Sequence, residues 1–223
     1  MINVWLPACV LAAAADWLVV WHNWRRVGYF TKPAAMVLLL TWFGSVGRFQ
    51  GLLMAYGIGF LFSLLGDILL LAGYHYFFPG LMAFLFAHLA YILAFNHPQP
   101  PLSLPFFLLG IIILPAWLAV LARLEGAMRA SPAHGRMRVP VTLYSGVIAL
   151  MLFSALLTLF RPDWQLPAAA LAAVGGFLFF ISDTMLAYDR FVRPFPRARF
   201  WVRVSYHTGQ LGLAVGALLH VID

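Results

Sequence analysis

The sequence has 223 residues, of which 64% are hydrophobic and only 9% are charged, and its formal net charge is +7. A soluble domain of this length does not tolerate so apolar a composition, so most of the chain must lie in lipid. At roughly 20 residues per span, such a chain holds about seven or eight transmembrane helices and little else. The single cysteine, Cys9, excludes an internal disulfide and a thiolate metal cluster.

Apolar runs separated by glycine, proline and charge clusters divide the chain into eight segments. In chain order the runs cover residues 4–22, 33–47, 49–73, 79–96, 104–122, 139–160, 166–188 and 201–221. No basic segment precedes the first run, so we expect it to stay attached as a helix rather than be cleaved as a signal. We therefore predict an all-α polytopic membrane protein in which residues 1–223 form a single domain of eight transmembrane helices.

Basic residues are distributed unevenly over the predicted connections. Twelve of the fourteen Lys and Arg residues fall at connections 1–2, 5–6 and 7–8, and only Arg48 and Arg161 fall on the opposite side. Because cytoplasmic loops carry an excess of Lys and Arg, we predict these connections in the cytoplasm and both termini on the outer side. This asymmetry accounts for the net charge, so no nucleic-acid partner is predicted. The 190–203 segment is interpreted as a topogenic loop that touches anionic headgroups.

Two short segments, 59–67 and 176–183, both begin with Gly-Phe-Leu-Phe and end with an aspartate. Each is followed by a helix that carries a histidine, His88 or His207. The third and seventh predicted helices run in the same direction, so the match suggests a parallel 4+4 repeat about an axis along the membrane normal. Short apolar words also match by chance, which is the alternative explanation. A real repeat would place Asp67 and Asp183 at equivalent positions.

Three aspartates, Asp16, Asp67 and Asp183, fall inside apolar runs, where a charge costs at least a few kcal/mol. At ~1.5 Å per residue, all three lie on the order of 8–9 Å below the cytoplasmic ends of their helices. Lys32, the only lysine, precedes Pro33, and we predict it at the cytoplasmic mouth of the second helix, where proline opens the helix. Together these residues predict a polar cavity that opens toward the cytoplasmic leaflet. The alternative for each aspartate is a structural role as the partner of a neighbouring helix.

Other polar residues follow helical spacing within the apolar runs. Tyr206 and Gln210 are i, i+4 neighbours, and His88 and Tyr91 are i, i+3 neighbours, so each pair shares one helix face. For His88 and His207 the alternative is a hydrogen-bonded packing role. The sequence contains no GxSxG, HExxH, Walker or CxxC motif, so serine-hydrolase, zinc-protease and nucleotide-driven mechanisms lack their usual parts. No cofactor is predicted, and nothing in the spacing of carboxylates and histidines demands a metal.

An ordered set of short motifs along nearly the whole chain resembles the YhhN/TMEM86 family of membrane lysoplasmalogenases. The motifs are Lys32-Pro33, Ser63-Leu64-Leu65-Gly66-Asp67, Ala83-Phe84, His88-Leu89-Ala90-Tyr91, Phe180-Ile181-Ser182-Asp183, and Tyr206 with Gly209-Gln210. The resemblance implies an eight-helix enzyme that hydrolyses the vinyl-ether bond of lysoplasmalogens. Its products would be a fatty aldehyde and glycerophospho-ethanolamine or -choline, and its partners a lysophospholipid substrate and the surrounding membrane lipids.

Vinyl-ether hydrolysis requires a proton on carbon, stabilisation of the resulting oxocarbenium ion and addition of water. Our hypothesis is that one of Asp67 and Asp183 is the general acid, and that the other stabilises the cation and activates water. Which aspartate has which role stays open. Lys32 is a candidate phosphate contact, and Asp16 is a candidate partner of Lys32 or of an ammonium headgroup. Residues that would orient water or the carboxylates are His88, Tyr91, Ser182, Tyr206, His207 and Gln210.

Two other functions fit the same features. One is a hydrolase of another lysolipid bond, and the other is a small lipid or amphiphile transporter, since buried carboxylates and parallel repeats also mark carriers. The alanine- and arginine-rich, lysine-poor composition is typical of a bacterial source, so we predict a bacterial inner-membrane protein. The oligomeric state stays open, because small residues such as Gly212 and Gly216 pack helices either within a monomer or between copies.

Overall fold

The computed structural model describes residues 3–222, with residues 132–134 described by their backbone alone. This part of the chain forms eight α-helices and three short 3-10 turns, and it contains no β-strand. In chain order the helices are α1 Trp5–Trp21, α2 Arg25–Gly47, α3 Leu52–Leu71, α4 Phe77–Phe95, α5 Leu104–Ala130, α6 Arg138–Leu157, α7 Leu166–Phe191 and α8 Ala198–Ile222. The predicted all-α class is confirmed.

Five helical segments are long and apolar enough to cross a membrane, and they make this chain an integral membrane protein. They are Leu52–Leu71, Tyr74–Phe95, Leu104–Ala130, Gly135–Phe160 and Leu166–Phe191. Helix α1 is apolar but has only 17 residues. Helices α2 and α8 have 23 and 25 residues but carry several cationic side chains, which lower their hydropathy. The count of eight spans therefore stays a prediction for these three helices.

The start of α2 differs from the prediction. The apolar run begins at Pro33, and Lys32 was expected at the mouth of the helix, yet α2 begins at Arg25 and contains Pro33 in its interior. Proline removes only one backbone donor, and transmembrane helices tolerate that loss because neighbouring helices satisfy the freed groups. Lys32 therefore lies about two turns inside α2, where it is 9% exposed.

Helix α5 also extends beyond its predicted run of 104–122. Arg123 and Arg129, which were assigned to a connection, lie on its last turns. There the Glu125 carboxylate accepts a hydrogen bond of 2.6 Å from Arg129, an i, i+4 pair that favours continued helix. Of the whole helix only Leu124 and Met128 are buried, so α5 lies at the edge of the bundle.

Small residues bring α7 and α8 into backbone contact. A Cβ atom at Gly175 would lie 2.6 Å from the backbone nitrogen of Leu213, and one at Gly216 would lie 2.8 Å from that of Ala172. Glycine is the residue that allows so close an approach. Gly212 and Gly216 therefore pack helices within the monomer. The α3–α4 and α1–α2 hairpins are the next most extensive helix contacts and complete the interior that holds the site.

Candidate active site in the bundle interior

Asp67 is fully buried on α3, and two other helices supply its partners. Lys32 of α2 places its Nζ 2.7 Å from Asp67 Oδ1. Tyr206 of α8 donates its hydroxyl to Asp67 Oδ2 at 2.8 Å. The Lys32 ammonium also lies 5.2 Å from the centre of the Tyr206 ring, a cation–π distance. We name Lys32, Asp67 and Tyr206 the lysine cluster.

Asp16 is fully buried on α1, beside the lysine cluster. Its Oδ1 accepts short hydrogen bonds from the Arg203 guanidinium of α8 and from the Thr31 hydroxyl, the latter at 2.6 Å. His207 Nδ1 lies 4.0 Å from Asp16 Oδ2, and the His207 ring stacks on Trp17. Asp16 is therefore paired with Arg203 rather than with Lys32, the partner considered from the sequence.

Asp183 lies on α7, and its partners come from α4 and α6. Tyr144 donates a short hydrogen bond to Asp183 Oδ2, and His88 Nε2 lies 3.3 Å from the same oxygen. His88 Nε2 is also 3.0 Å from the Tyr144 hydroxyl. His88 Nε2 therefore lies within hydrogen-bond distance of both the phenol oxygen and the carboxylate. We name His88, Tyr144 and Asp183 the histidine cluster.

The two clusters share no hydrogen bond or ion pair within residues 3–222, and an aromatic ring lies between them. The centre of the Phe179 ring is 4.7 Å from that of His88 and 5.3 Å from that of Tyr206. The centre of the Phe84 ring lies 5.9 Å from that of the Tyr206 ring and borders the same space. The structure therefore brings both clusters against one phenylalanine ring, with no hydrogen bond between Asp67 and Asp183 among the described residues.

The remaining predicted residues form hydrogen bonds of their own beside the two clusters. Tyr91 donates its hydroxyl to Gln210 Oε1 at 3.0 Å. The Ser63 hydroxyl lies 3.3 Å from the Tyr91 oxygen and, since the Tyr91 proton is already used, donates to it. Ser182 donates to the backbone carbonyl of Val202 at 3.0 Å and so fastens α7 to α8. Ser182 makes no hydrogen bond to either cluster among the described residues.

Sequence reasoning missed three residues of this interior. Tyr144 and Phe179 lie in apolar runs in which nothing distinguishes them from packing residues. Arg203 was counted with the loop charges, although its spacing from Tyr206 and Gln210 indicates that it shares their helix face. Arg203, Tyr206 and Gln210 fall at i, i+3 and i+7 on α8, which is one face of a helix.

The side chains present favour proton transfer and electrostatic stabilisation. Residues 3–222 contain no group of three or more His, Cys, Asp or Glu side chains placed to hold a metal ion. The lysine cluster offers a carboxylate fixed by an ammonium and a phenol, and the histidine cluster offers an imidazole, a phenol and a second carboxylate. Asp183 is 10% exposed and Asp67 is not exposed at all, so both groups act largely without bulk water.

Comparison with known proteins places the chain in a family. The model described as the YhhN family matches residues 27–217. Lysoplasmalogenase TMEM86B of Homo sapiens is 34% identical over 144 residues, which cover 64% of this chain and 54% of that protein. Lysoplasmalogenase TMEM86A of Bos taurus is 30% identical over 165 residues, which cover 72% of this chain and 64% of that protein.

The chain thus spans about half to two thirds of the length of these curated relatives. No solved structure matches it. The family model nevertheless covers most of the chain, and the resemblance predicted from its short motifs is confirmed. This integral membrane protein belongs to the YhhN family.

Proposed function

We propose that this protein hydrolyses the vinyl-ether bond of lysoplasmalogens, releasing a fatty aldehyde and glycerophospho-ethanolamine or -choline. Relatives named lysoplasmalogenase support the reaction class. The observation that carries the proposal is the pair of enclosed carboxylates, Asp67 and Asp183, each bound by side chains from two other helices. The Phe179 ring lies between the two sets of partners.

The partners of the two carboxylates suggest a division of roles. Asp67 is paired with the Lys32 ammonium, so we assign it as the ionised carboxylate that stabilises positive charge and activates water. Asp183 is bound by a phenol and an imidazole, a hydrogen-bonded relay that holds and returns a proton. We therefore assign Asp183 with His88 as the general acid and Asp67 as the stabilising base.

The reaction balances without any further reagent. The acid places its proton on the outer carbon of the double bond, and the adjacent carbon and ether oxygen share the positive charge. Water adds to that carbon and gives up a proton to the carboxylates, forming a hemiacetal. The hemiacetal carbon–oxygen bond to glycerol then breaks, the glycerol oxygen leaves with a proton, and the fatty aldehyde remains. Lys32 and Tyr206 hold Asp67 in place, and we assign the orientation of the water to Tyr91, Gln210 and His207.

We also infer that all eight helices cross the membrane, in a bacterial inner membrane, with both termini outside and the site opening toward the cytoplasmic leaflet. At ~1.5 Å per residue, the 23 residues of α2 reach about 35 Å, enough for a hydrocarbon core of about 30 Å. The pattern of contacts supports a parallel 4+4 repeat. Asp67 on α3 is bound from α2 and α8, and Asp183 on α7 is bound from the corresponding helices α6 and α4.

Aldehyde release from lysoplasmenylethanolamine by the purified protein in detergent tests the function. We expect turnover by the wild type and a loss of about 100-fold or more in both Asp67→Asn and Asp183→Asn, the usual range for a lost acid or base. The matched control is Glu125→Gln, the same carboxylate-to-amide change on the peripheral helix α5, which should keep full activity. Helix content and monodisperse elution must be unchanged in each variant.

Three other results would contradict the proposal. Full activity in both aspartate variants would return the carboxylates to a structural role. Release of fatty acid from an ester lysolipid, with no aldehyde from the vinyl ether, would identify a hydrolase of another lysolipid bond. Absence of turnover on both substrates would favour a lipid or amphiphile carrier, the remaining function considered from the sequence.

A further inference from the structure

An open cavity of about 710 Å³ lies at the end of the bundle where α1 ends, α2 begins and α7 connects to α8. Its volume falls within the range of about 300–1,000 Å³ that is usual for small-molecule sites. Four arginines from two separate parts of the chain line it: Arg25, Arg197, Arg199 and Arg203. None of the reaction steps above uses this cavity, which we name the arginine pocket.

The arginine pocket has an excess of positive charge. Among the described residues that line it, Asp189 supplies the one carboxylate, and Asp189 Oδ1 already accepts a hydrogen bond from the Phe195 backbone nitrogen at 3.2 Å. Arg203 is paired with Asp16, whereas Arg25 and Arg199 form no ion pair within residues 3–222. Guanidinium groups without a carboxylate partner favour a phosphate oxyanion, which they bind with two parallel hydrogen bonds.

The wall of the pocket is shaped by an unusual backbone. Arg197 has φ of 58° and Asn23 has φ of 58°, both in the left-handed region. This conformation is unfavourable for a residue such as arginine, whose Cβ then crowds the following carbonyl oxygen. The Arg197 guanidinium lies 3.5 Å from the centre of the Trp21 ring, a cation–π contact that offsets part of the cost. Arg197 is thus anchored to α1 at the wall of the pocket.

The arginine pocket lies directly above the lysine cluster. Four helices that form its wall each carry a polar residue three positions deeper than their innermost lining residue, which is slightly less than one turn. In chain order these pairs of lining and deeper residue are Val19 and Asp16, Tyr29 and Lys32, Leu70 and Asp67, and Arg203 and Tyr206. Three residues of an α-helix rise ~4.5 Å. The same layer of side chains therefore closes the floor of the pocket and contains the carboxylate proposed to act on the substrate.

We propose that the arginine pocket binds the phosphodiester group of a lysophospholipid headgroup, with Arg25 and Arg199 as its direct contacts. This inference rests on the proposed function for the identity of the lipid, but not for the binding of the phosphate. The glycerol backbone separates the phosphate from the ether oxygen by only a few covalent bonds, which matches one helical turn. A phosphate held by the arginines thus places the vinyl ether at the depth of Asp67. Lys32 is occupied by Asp67, so the arginines supply the phosphate contact.

Binding of glycerophosphoethanolamine, the phosphodiester without its chain, tests this inference independently of turnover. We would measure its Kd calorimetrically in a neutral maltoside detergent for the wild type, Arg25→Gln and Arg199→Gln. Each variant should bind about tenfold more weakly, the effect of losing one charged hydrogen-bond donor. The matched control is Arg26→Gln, an identical change at the next residue of α2, which does not line the pocket and should leave the Kd unchanged.

The binding measurements have several possible outcomes, and each one supports or contradicts the proposed phosphodiester site. Equal weakening in Arg26→Gln would indicate general surface charge and would overturn the proposal, as would absence of binding by the wild type. Inorganic phosphate binding as tightly as the diester would identify a site for free phosphate and overturn the assignment to a lipid headgroup. The same titration on Asp67→Asn separates the two proposals, because an inactive protein that still binds the diester retains the arginine pocket even if the hydrolase proposal fails.

Discussion

The ion pair between Lys32 and Asp67 is the contact whose loss should most affect the bundle. Asp67 is not exposed and the Lys32 side chain is 11% exposed, with 2.7 Å between the charged atoms. Removal of one member of such a pair leaves the other charge buried without compensation, which costs roughly 3–5 kcal/mol. We therefore expect Lys32→Met, which keeps the volume and removes the charge, to lower the free energy of unfolding by about 3–5 kcal/mol.

A second variant distinguishes this electrostatic cost from the loss of packing. Lys32→Met combined with Asp67→Asn removes both charges and keeps an acceptor for the Tyr206 hydroxyl. The double variant should recover at least half of the loss, which would identify the cost of the single change as that of an uncompensated buried charge. Unfolding by sodium dodecyl sulfate in mixed micelles, followed by circular dichroism, measures all three variants on one scale.

Small and additive effects would refute this reasoning. Costs below about 1 kcal/mol for each single change, summing in the double variant, are the values of a solvated surface pair. The double variant also separates stability from catalysis. It should be folded nearly as well as the wild type yet release no aldehyde, because the carboxylate proposed to stabilise the oxocarbenium ion is gone.

Three further predictions concern the opposite end of the bundle. Arg161 is buried and donates hydrogen bonds to the backbone carbonyls of Phe95 at 2.6 Å and Pro98 at 2.8 Å. Arg161→Ala should therefore lower the free energy of unfolding by about 2–4 kcal/mol in the same assay. Arg123→Ala, the same change at an exposed arginine, should have little effect. Its hydrogen bond to Asp163 lowers the pKa of that carboxyl, so the contact stabilises above the ordinary pKa of 3.8 and is lost as the pH falls through the lowered value. As the pH falls through that lowered pKa, the free energy of unfolding of the wild type should therefore decrease more than that of Asp163→Asn. For topology, alkaline phosphatase fused after α8 should be active and a fluorescent protein at the same position dark, and the reverse pattern would contradict outer termini.

The sequence predicted those parts of the site that follow from single helices. An aspartate in an apolar run has few inexpensive environments, so Asp16 and Asp67 had to be enclosed with partners. The spacing of Tyr206 and Gln210 had to place both side chains on one face of α8. These inferences need only the helical period and the cost of a charge in lipid. Neither of these depends on how the helices pack against one another.

The partners themselves could not be predicted, because they depend on how the helices pack. Tyr144 is one of eight tyrosines, and only the approach of α6 to α7 makes it the donor to Asp183. Arg203 reads as a loop charge until α8 is known to begin at Ala198 and to pass Asp16. Pro33 reads as a helix start, because sequence alone does not reveal that a neighbouring helix stabilises the interior of α2. Contacts between helices therefore determine the donor to Asp183, the location of Arg203 and the start of α2.

The arrangement of the two clusters bears on why one chain holds two carboxylates in different settings. If α1–α4 and α5–α8 are copies of one unit, Asp67 and Asp183 began in equivalent positions, each bound by one helix of its own half and by the last helix of the other half. Their present partners differ: an ammonium at Asp67, and an imidazole at Asp183. Two identical settings would hold both carboxylates in the same protonation state, whereas vinyl-ether hydrolysis requires one proton donor and one anion. A difference between the two sets of partners is therefore what the proposed division into an acid and a base requires.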